Sequence, residues 1–160
     1  IEQVLAWGAD KVVVSTATIS NPQLIEQAAA AVGSRRVVLA IDAKNTGSGW
    51  EVYSHGGRQA TGLDAVDWAQ KGAELGAGEI LLTSIDQDGT QDGYDLSLLR
   101  SVCSSIHIPV IASGGAGRPE HLFQALTAGA DAVLVASMLH KGAWTAAELK
   151  DFLRTKGVEI

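Results

Sequence analysis

Short, continuous apolar runs alternate along the chain with longer segments in which apolar residues recur every three or four positions. Runs rich in valine, isoleucine and leucine are typical of buried parallel strands, whereas the longer periodic segments are typical of amphipathic helices. A glycine precedes most of the runs and is suited to ending the helix before it. Five strands are predicted, within residues 8–14, 33–41, 76–82, 106–112 and 129–135.

Helical patterns follow each of these strands, and one more opens the chain. An extra element is predicted between the second and third strands, because Trp50–Ser54 and residues 59–61 flank a glycine-containing turn as the arms of a hairpin would. The alternation of strand and helix predicts an α/β domain with a parallel sheet, apolar and covered on both faces. The helices are predicted within residues 1–7, 21–32, 64–75, 96–105, 120–128 and 145–156.

Polar residues fall at the end of every predicted strand. A (β/α)8 barrel gathers all such ends on one face, whereas a doubly wound sheet gathers them at one crevice. The Gly-x-Gly-x-x-Gly signature of a doubly wound nucleotide-binding sheet does not follow the first strand. We therefore predict a TIM (β/α)8 barrel. The polar strand ends are Ser15 and Thr16, Asp42, residues 83–86, residues 113–115, and Ala136 with Ser137.

The composition narrows the function classes. With 160 residues, 46% of them hydrophobic, the chain is expected to form a single domain, 1–160. A net charge of −6 argues against nucleic acid as a partner, and no apolar run approaches the roughly 20 residues that span a bilayer. We expect a soluble cytoplasmic protein without a metal or other cofactor, because one cysteine and four scattered histidines offer no ligand spacing. Trp7, Trp68 and Trp144 are predicted to pack against the barrel.

Two short loops after the last two predicted strands are rich in small residues. Ser113, Gly114 and Gly115 follow one strand, and Ala136 and Ser137 follow the next. Glycines let backbone N–H groups approach an anion, and barrels commonly bind phosphate at the loops after their last two strands. We therefore expect a phosphate site here. The alternative is that the glycines only permit a tight turn.

A carboxylate stands at the end of the second predicted strand, directly after an apolar run. Partial burial at the rim of a barrel would suit Asp42 to general acid or base chemistry. Loop aspartates equally often cap helices or organise turns, and spacing alone leaves both interpretations open. After the third strand, Thr83, Ser84, Asp86 and Asp88 offer several hydrogen-bonding groups that suit a polyhydroxylated substrate.

Segments 37–44, 76–90, 93–95 and 111–117 resemble the cyclase subunit of imidazole glycerol phosphate synthase, and the likeness covers essentially the whole chain. The resemblance implies a barrel that begins here at the helix before strand 4 and lacks strands 1 to 3. It also implies a lyase of histidine biosynthesis. The enzyme takes ammonia from a glutamine amidotransferase subunit bound at the N-terminal barrel face as a heterodimer. It converts a bisphosphorylated ribulosyl substrate into imidazole glycerol phosphate and an aminoimidazole carboxamide ribotide.

The resemblance also assigns roles to residues. Asp42 matches one of two acid and base aspartates, whose partner lies on the absent strand 1, and Thr83 matches a hydroxyl near the reacting centre. The isolated chain is therefore expected to be inactive. One phosphate end is matched by Ser113, Gly114, Gly115, Ala136 and Ser137, with Ser84, Asp88 and Gly89 beside it, and the other by Ser15 and Thr16.

At the opposite face, the resemblance makes Lys11 and Glu79 members of a charged ring that gates ammonia, and Asp10 a residue of the partner interface. Ordinary salt links between strand ends are the alternative. Two other functions stay open. One is the sister isomerase of the same pathway, a (β/α)8 barrel with a two-phosphate substrate, and the other is a phosphate-binding module without catalysis.

Overall fold

One seven-stranded sheet organises the computed structural model, which describes residues 1–160. The strands are β1 Val12–Val14, β2 Val37–Asn45, β3 Trp50–Ser54, β4 Gln59–Asp64, β5 Glu79–Ser84, β6 Val110–Ser113 and β7 Ala132–Val133. The helices are α1 Glu2–Ala6, α2 Thr16–Ser20, α3 Gln23–Val32, α4 Ala65–Glu74, α5 Leu96–Cys103, α6 Pro119–Thr127, α7 Ser137–His140 and α8 Ala146–Thr155, with a 3-10 turn at Ser34–Arg36.

Five parallel strands lie in the order β1-β2-β5-β6-β7 and form the body of the sheet. The long strand β2 pairs with two different strands along the same edge. Its first half pairs in parallel with β1, Val37 opposite Val12, and its second half pairs antiparallel with β3, Asp42 opposite Tyr53. The β3–β4 hairpin therefore extends the sheet beyond the end of β1. The five predicted strands and the hairpin are confirmed.

The helices pack on one face of this sheet. Leu39, Ile41, Ile80 and Leu82 are fully or almost fully buried and form one core with apolar side chains of α3, α4, α5, α6 and α8. The other face is more open, since Val13 on β1 keeps 59% of its surface exposed. The prediction that both faces are covered is therefore wrong. A parallel sheet with helices on one side only is the arrangement of a (β/α)8 barrel, and the chain forms part of such a barrel.

Side-chain caps define where several predicted helices begin. Asp64 Oδ1 accepts hydrogen bonds from the Val66 and Asp67 N–H groups at the start of α4, at 2.8 and 3.1 Å. Thr145 and Glu148 form a capping box at the start of α8. The predicted helices are confirmed, with their ends shifted by a few residues. Sequence periodicity missed α2 and α7, because five and four residues are too few to show a repeat.

The tryptophans divide between core and surface. Trp68 is buried beneath the sheet, as predicted, but Trp7 is 76% exposed and Trp144 is 36% exposed, so the prediction that all three pack against the barrel is wrong. Trp7 follows the short helix α1, none of whose residues is buried. None of the helices is both long enough and apolar enough to cross a membrane.

Candidate functional site

Three cavities lie side by side where the parallel strands end. A central cavity of about 330 Å³ lies at the ends of β2 and β5. A cavity of about 420 Å³, here the hairpin cavity, lies between α2 and the hairpin and includes Thr16 and His55. The third, here the glycine cradle, holds about 30 Å³ between the loops after β5, β6 and β7. The central cavity is lined by Asp42, Gly56, Gly57, Thr83, Ile85 and Asp88.

Asp42 lies inside strand β2 and its carboxylate takes part in no hydrogen bond or ion pair in the structure. The capping and turn-forming alternative is therefore excluded. Burial, and secondly the nearby Asp88 carboxylate, raise the pKa of Asp42 above its ordinary value of 3.8. A carboxyl group without a structural partner, and with its pKa moved in this direction, is suited to passing protons to and from a ligand.

Thr83 on β5 is the register partner of Asp42 on β2. Paired residues on adjacent parallel strands point to the same face of a sheet. Both side chains line the central cavity. The structure therefore brings together the two residues that the resemblance places at the reacting centre.

Ser84 corrects a sequence-based expectation. It follows Thr83 in β5, so its side chain points to the opposite face, where it is 2% exposed and packs beside Leu98 and Leu99 of α5. The Ser84 hydroxyl has no hydrogen-bond partner. Its side chain is outside the three cavities, and only its backbone carbonyl, which accepts from Asp88 N at 3.0 Å, helps to shape the site.

The glycine cradle brings together seven of the residues expected at one phosphate end. Asp88 lines both this cradle and the central cavity, so the two cavities share a wall. Gln91, Ala116 and Leu134 also line the cradle; Ala116 belongs to the glycine-rich loop but was given no role, and no motif pointed to Gln91 or Leu134. The predicted residues that meet here are Asp88, Gly89, Ser113, Gly114, Gly115, Ala136 and Ser137.

Close packing accounts for the glycines of this loop. Gly114 and Gly115 have φ values of +89° and +104°. A Cβ on Gly115 would lie 2.0 Å from the Gly93 carbonyl oxygen, and one on Gly114 would lie 2.8 Å from that of Ser84. Gly93 N donates to Gly115 O at 2.8 Å. Contact with the loop after β5 therefore explains why these positions are glycine. A role of the cradle in binding phosphate depends on the other groups that line it.

Tyr94 and Asp95 hold the loops of the site together, and sequence analysis gave neither a role. The buried Tyr94 hydroxyl donates to the Leu134 carbonyl at 2.8 Å, which joins the loop after β5 to the loop after β7. Asp95 caps α5 through Leu98 N and accepts a 2.9 Å hydrogen bond from Trp50 Nε1. Both contacts join residues about forty positions apart, so no local pattern could reveal them.

At the opposite phosphate end, Thr16 and Ser15 differ. The Thr16 hydroxyl oxygen accepts a 2.9 Å hydrogen bond from His55 N at the hairpin tip, and both residues line the hairpin cavity. Ser15 precedes α2 and its carbonyl accepts from the Thr18 hydroxyl at 2.6 Å. The Ser15 side chain does not line that cavity. The structure therefore places Thr16, and not Ser15, at the cavity wall.

On the face where the strands begin, Lys11 and Glu79 form an ion pair. Lys11 precedes β1 and Glu79 begins β5, so the pair reaches across the start of β2. Asp10 is exposed beside them. This ion pair fits both a gate and an ordinary salt link between strand ends. Nowhere in residues 1–160 do three or more histidine, cysteine, aspartate or glutamate side chains gather as metal ligands.

Comparison with known proteins gives a consistent result. The model of the family described as histidine biosynthesis protein matches residues 1–145. The chain is 52% identical over 160 residues to the imidazole glycerol phosphate synthase subunit HisF of Thermococcus onnurineus, covering 100% of this chain and 64% of that protein. It is 59% identical over 153 residues to the subunit of the same name from Pyrobaculum aerophilum, covering 96% and 60%.

The subunit of the same name from Pyrococcus furiosus is 51% identical over 158 residues, covering 99% of this chain and 63% of that protein. The chain thus spans less than two thirds of the length of these relatives. The family match extends over most of the chain and agrees with the barrel architecture described above. The chain belongs to the histidine biosynthesis protein family.

Proposed function

We propose that this chain carries the catalytic face of the cyclase of imidazole glycerol phosphate synthase. The observation that carries the proposal is Asp42, a carboxylate without a partner at the carboxyl end of the sheet, paired in register with Thr83 inside the central cavity. The names of the relatives, at 51% to 59% identity, support the same reaction.

Ring closure with ammonia requires protons to move. The attacking nitrogen forms two bonds and must lose protons. The first bond replaces the carbonyl oxygen, which must gain protons before it leaves as water. The second closes the ring and breaks the bond to the aminoimidazole carboxamide ribotide, whose amine nitrogen must gain a proton as it leaves. Asp42 has its pKa raised by burial and by Asp88, so it is suited to give a proton to that oxygen and to recover one later. The Thr83 hydroxyl is placed to hydrogen-bond the same region. The resemblance implies a second acid and base group, outside this chain.

An elongated, bisphosphorylated substrate suits the three cavities. The hairpin cavity and the central cavity meet at the hairpin tip, since His55 lines one while Gly56 and Gly57 line the other. The central cavity and the glycine cradle share Asp88. A substrate with one phosphate near Thr16 and the other in the cradle would therefore place its middle beside Asp42. The proposed residues are Asp42 and Thr83 at the centre, Thr16 at one end, and Asp88, Gly89, Ser113, Gly114, Gly115, Ala136 and Ser137 at the other.

The proposed partner is a glutamine amidotransferase subunit on the opposite face. In this proposal Asp10 contributes to the interface, and the Lys11–Glu79 ion pair controls entry of ammonia. The test compares two nitrogen sources, glutamine and added ammonium salt, because an ammonia gate would affect them differently and an ordinary salt link would not. The reaction is proposed to need no metal or organic cofactor, and the enzyme to act in the cytoplasm.

The direct test is ring closure by the full-length protein with ammonium salt as the nitrogen donor. We expect formation of imidazole glycerol phosphate, and loss of that activity in the Asp42→Asn variant while phosphate binding persists. Isomerisation of the preceding ribosyl compound without ring closure would establish the sister activity instead. Phosphate binding without either reaction would leave only a binding module.

The 160-residue chain alone is expected not to turn over. Its parallel sheet ends at β1 on one side and β7 on the other, and a barrel must close for its cavities to be complete. Ring closure catalysed by this chain by itself would contradict the proposed need for a second acid and base group.

A further inference from the structure

The side chains that line the glycine cradle carry a net negative charge, which is unfavourable for binding an anion. Of the ten residues that line it, Asp88 alone is charged, and that charge is negative. A phosphate dianion beside a carboxylate is repelled unless a cation or several N–H donors compensate. None of the lining side chains supplies a positive charge, so a cation at the rim would add to what the backbone N–H groups of the loops provide.

One lysine reaches the rim of the cradle. Lys141 Nζ donates a 3.1 Å hydrogen bond to Gln91 Oε1, and Gln91 lines the cradle. Lys141 directly follows α7, and its backbone N–H donates to the Ser137 carbonyl at 3.0 Å. The side chain thus connects the wall formed by the loop after β5 with the wall formed by α7.

Gln91 holds an uncommon backbone conformation at this position. Its φ of +67° makes it one of two non-glycine residues in the chain with positive φ. Such a conformation carries a cost that neighbouring contacts must offset. Gln91 also packs tightly against the glycine loop, since a Cβ on Gly117 would lie 2.1 Å from the Gln91 carbonyl oxygen. The amide that holds Lys141 therefore stands on a closely packed segment.

The nearest arginine along the chain is engaged elsewhere. Arg118 follows the glycine loop, but its guanidinium lies 3.1 to 3.3 Å from His121 Nε2. His121 is buried and accepts a hydrogen bond from Gly117 N through Nδ1. Lys141 forms no ion pair with any carboxylate, and one hydrogen bond leaves two of its three ammonium N–H groups available.

We propose that Lys141 is an anion-binding residue of the glycine cradle, held at its rim by Gln91. Its ammonium supplies the positive charge that offsets Asp88, and its free N–H groups contact the phosphate of the bound substrate. This inference rests on the proposed phosphate end of the substrate, and it adds a residue that the sequence motifs do not include.

The test is titration of the full-length protein with inorganic phosphate at about pH 8, where the probe is mainly a dianion. We expect Lys141→Met to weaken binding about threefold to fivefold at low salt, as for an exposed charge pair. The difference should shrink as ionic strength rises from about 0.05 to about 0.5 M. Lys141→Arg should retain most of the affinity.

Lys150→Met is the matched control, because Lys150 is exposed on α8 and takes part in no ion pair or side-chain hydrogen bond. It should leave phosphate affinity unchanged. Gln91→Leu should weaken binding less than Lys141→Met, since the ammonium remains but is no longer held. In the cyclase assay, Lys141→Met should raise KM for the substrate and leave kcat unchanged.

The outcomes separate this inference from the function on which it rests. Normal ring closure in Lys141→Met, with KM and phosphate affinity equal to those of the unsubstituted protein at low salt, would overturn the role of Lys141 and leave the cyclase proposal intact. Equal loss in Lys141→Met and Lys150→Met would also overturn it, because the effect would then be one of net charge. An unsubstituted protein that neither binds phosphate nor closes the ring would overturn both proposals.

Discussion

Asp42 and Thr83 are register partners on neighbouring parallel strands, and both line the central cavity. This relationship fixes the spacing of an acid and base group and a hydroxyl through the backbone hydrogen bonds of β2 and β5. Side chains that are placed by strands vary less in position than those placed by loops. The remaining proposed substrate contacts lie in loops or at the ends of elements, namely Ser113 at the end of β6, Thr16 at the start of α2 and Ser137 at the start of α7.

Asp42→Asn is expected to remove ring closure and to preserve or slightly raise stability. The substitution removes a partly buried negative charge that Asp88 also repels, so the free energy of unfolding near neutral pH should stay the same or rise slightly. Loss of the proton-transfer group should lower kcat at least about 100-fold. Cyclase assays and urea unfolding of the full-length protein test this, with Asp67→Asn on α4 as the control. Near-normal turnover in Asp42→Asn would reject the assignment.

The difference in stability between the unsubstituted protein and the Asp42→Asn variant should depend on pH. Because the pKa of Asp42 is raised above 3.8, the folded protein binds this proton more tightly than the unfolded chain does. The contribution of Asp42 to stability is therefore fully present below pH 3.8 and is lost as pH rises through the raised pKa. The advantage of Asp42→Asn should be small in acid and grow toward neutral pH in a series of urea titrations. A difference that stays constant across the series would show that Asp42 titrates normally.

The sequence predicted where the strands lie more securely than which way their side chains point. Residues 80–82 form an apolar run without alternation, so the pattern could not tell that Thr83 faces the cavity and Ser84 faces α5. The same uncertainty about faces led to the expectation that both sides of the sheet are covered. The positions of the strands and helices followed from local signals, namely glycine stops and the strict alternation of strand and helix.

Contacts between distant loops could not be predicted. The residues that join the cavity walls, Tyr94 with Leu134, Trp50 with Asp95, and Lys141 with Gln91, are 40 to 50 positions apart. No spacing rule applies over such separations. The glycine loop is a different case. Its composition predicted a phosphate site, but the close contact with Gly93 and Ser84 that requires glycine became visible only in three dimensions.

Gly115→Ala should destabilise the protein far more than Gly47→Ala. Both glycines have positive φ, +104° and +87°, so both substitutions bear a similar backbone cost of about 1 kcal/mol. A methyl group on Gly47 meets nothing within 4 Å, whereas one on Gly115 meets the Gly93 carbonyl oxygen at 2.0 Å. We expect a further loss of about 2 kcal/mol for Gly115→Ala, together with weaker phosphate binding. Equal unfolding midpoints in urea would contradict the packing argument.

If the Lys11–Glu79 pair controls the entry of ammonia, Lys11→Met should change the reaction rate with glutamine and the rate with added ammonium salt differently. The pair is partly exposed, so its loss should change stability by less than about 1 kcal/mol. We expect the glutamine-dependent rate of the complex to fall while the rate with added ammonium salt is retained. Lys71→Met on α4, whose lysine also forms a surface ion pair, is the control. A proportional change of both rates would favour the plain salt link.

Tyr94→Phe tests whether the buried hydroxyl positions the glycine cradle. The substitution removes the 2.8 Å hydrogen bond to the Leu134 carbonyl and leaves the ring in place, so the free energy of unfolding should fall by about 1 kcal/mol. The segment after Leu134 carries Ala136 and Ser137 into the cradle, and its looser attachment should raise KM for the substrate and weaken phosphate binding. Because Asp42 and Thr83 lie on other strands, kcat should stay within about twofold of the original value.

Tyr53→Phe is the control for stability, since the Tyr53 hydroxyl has no hydrogen bond and its removal should leave the unfolding midpoint unchanged. A fall in kcat with KM unchanged would mean that Tyr94 acts on the reacting centre and not on the cradle.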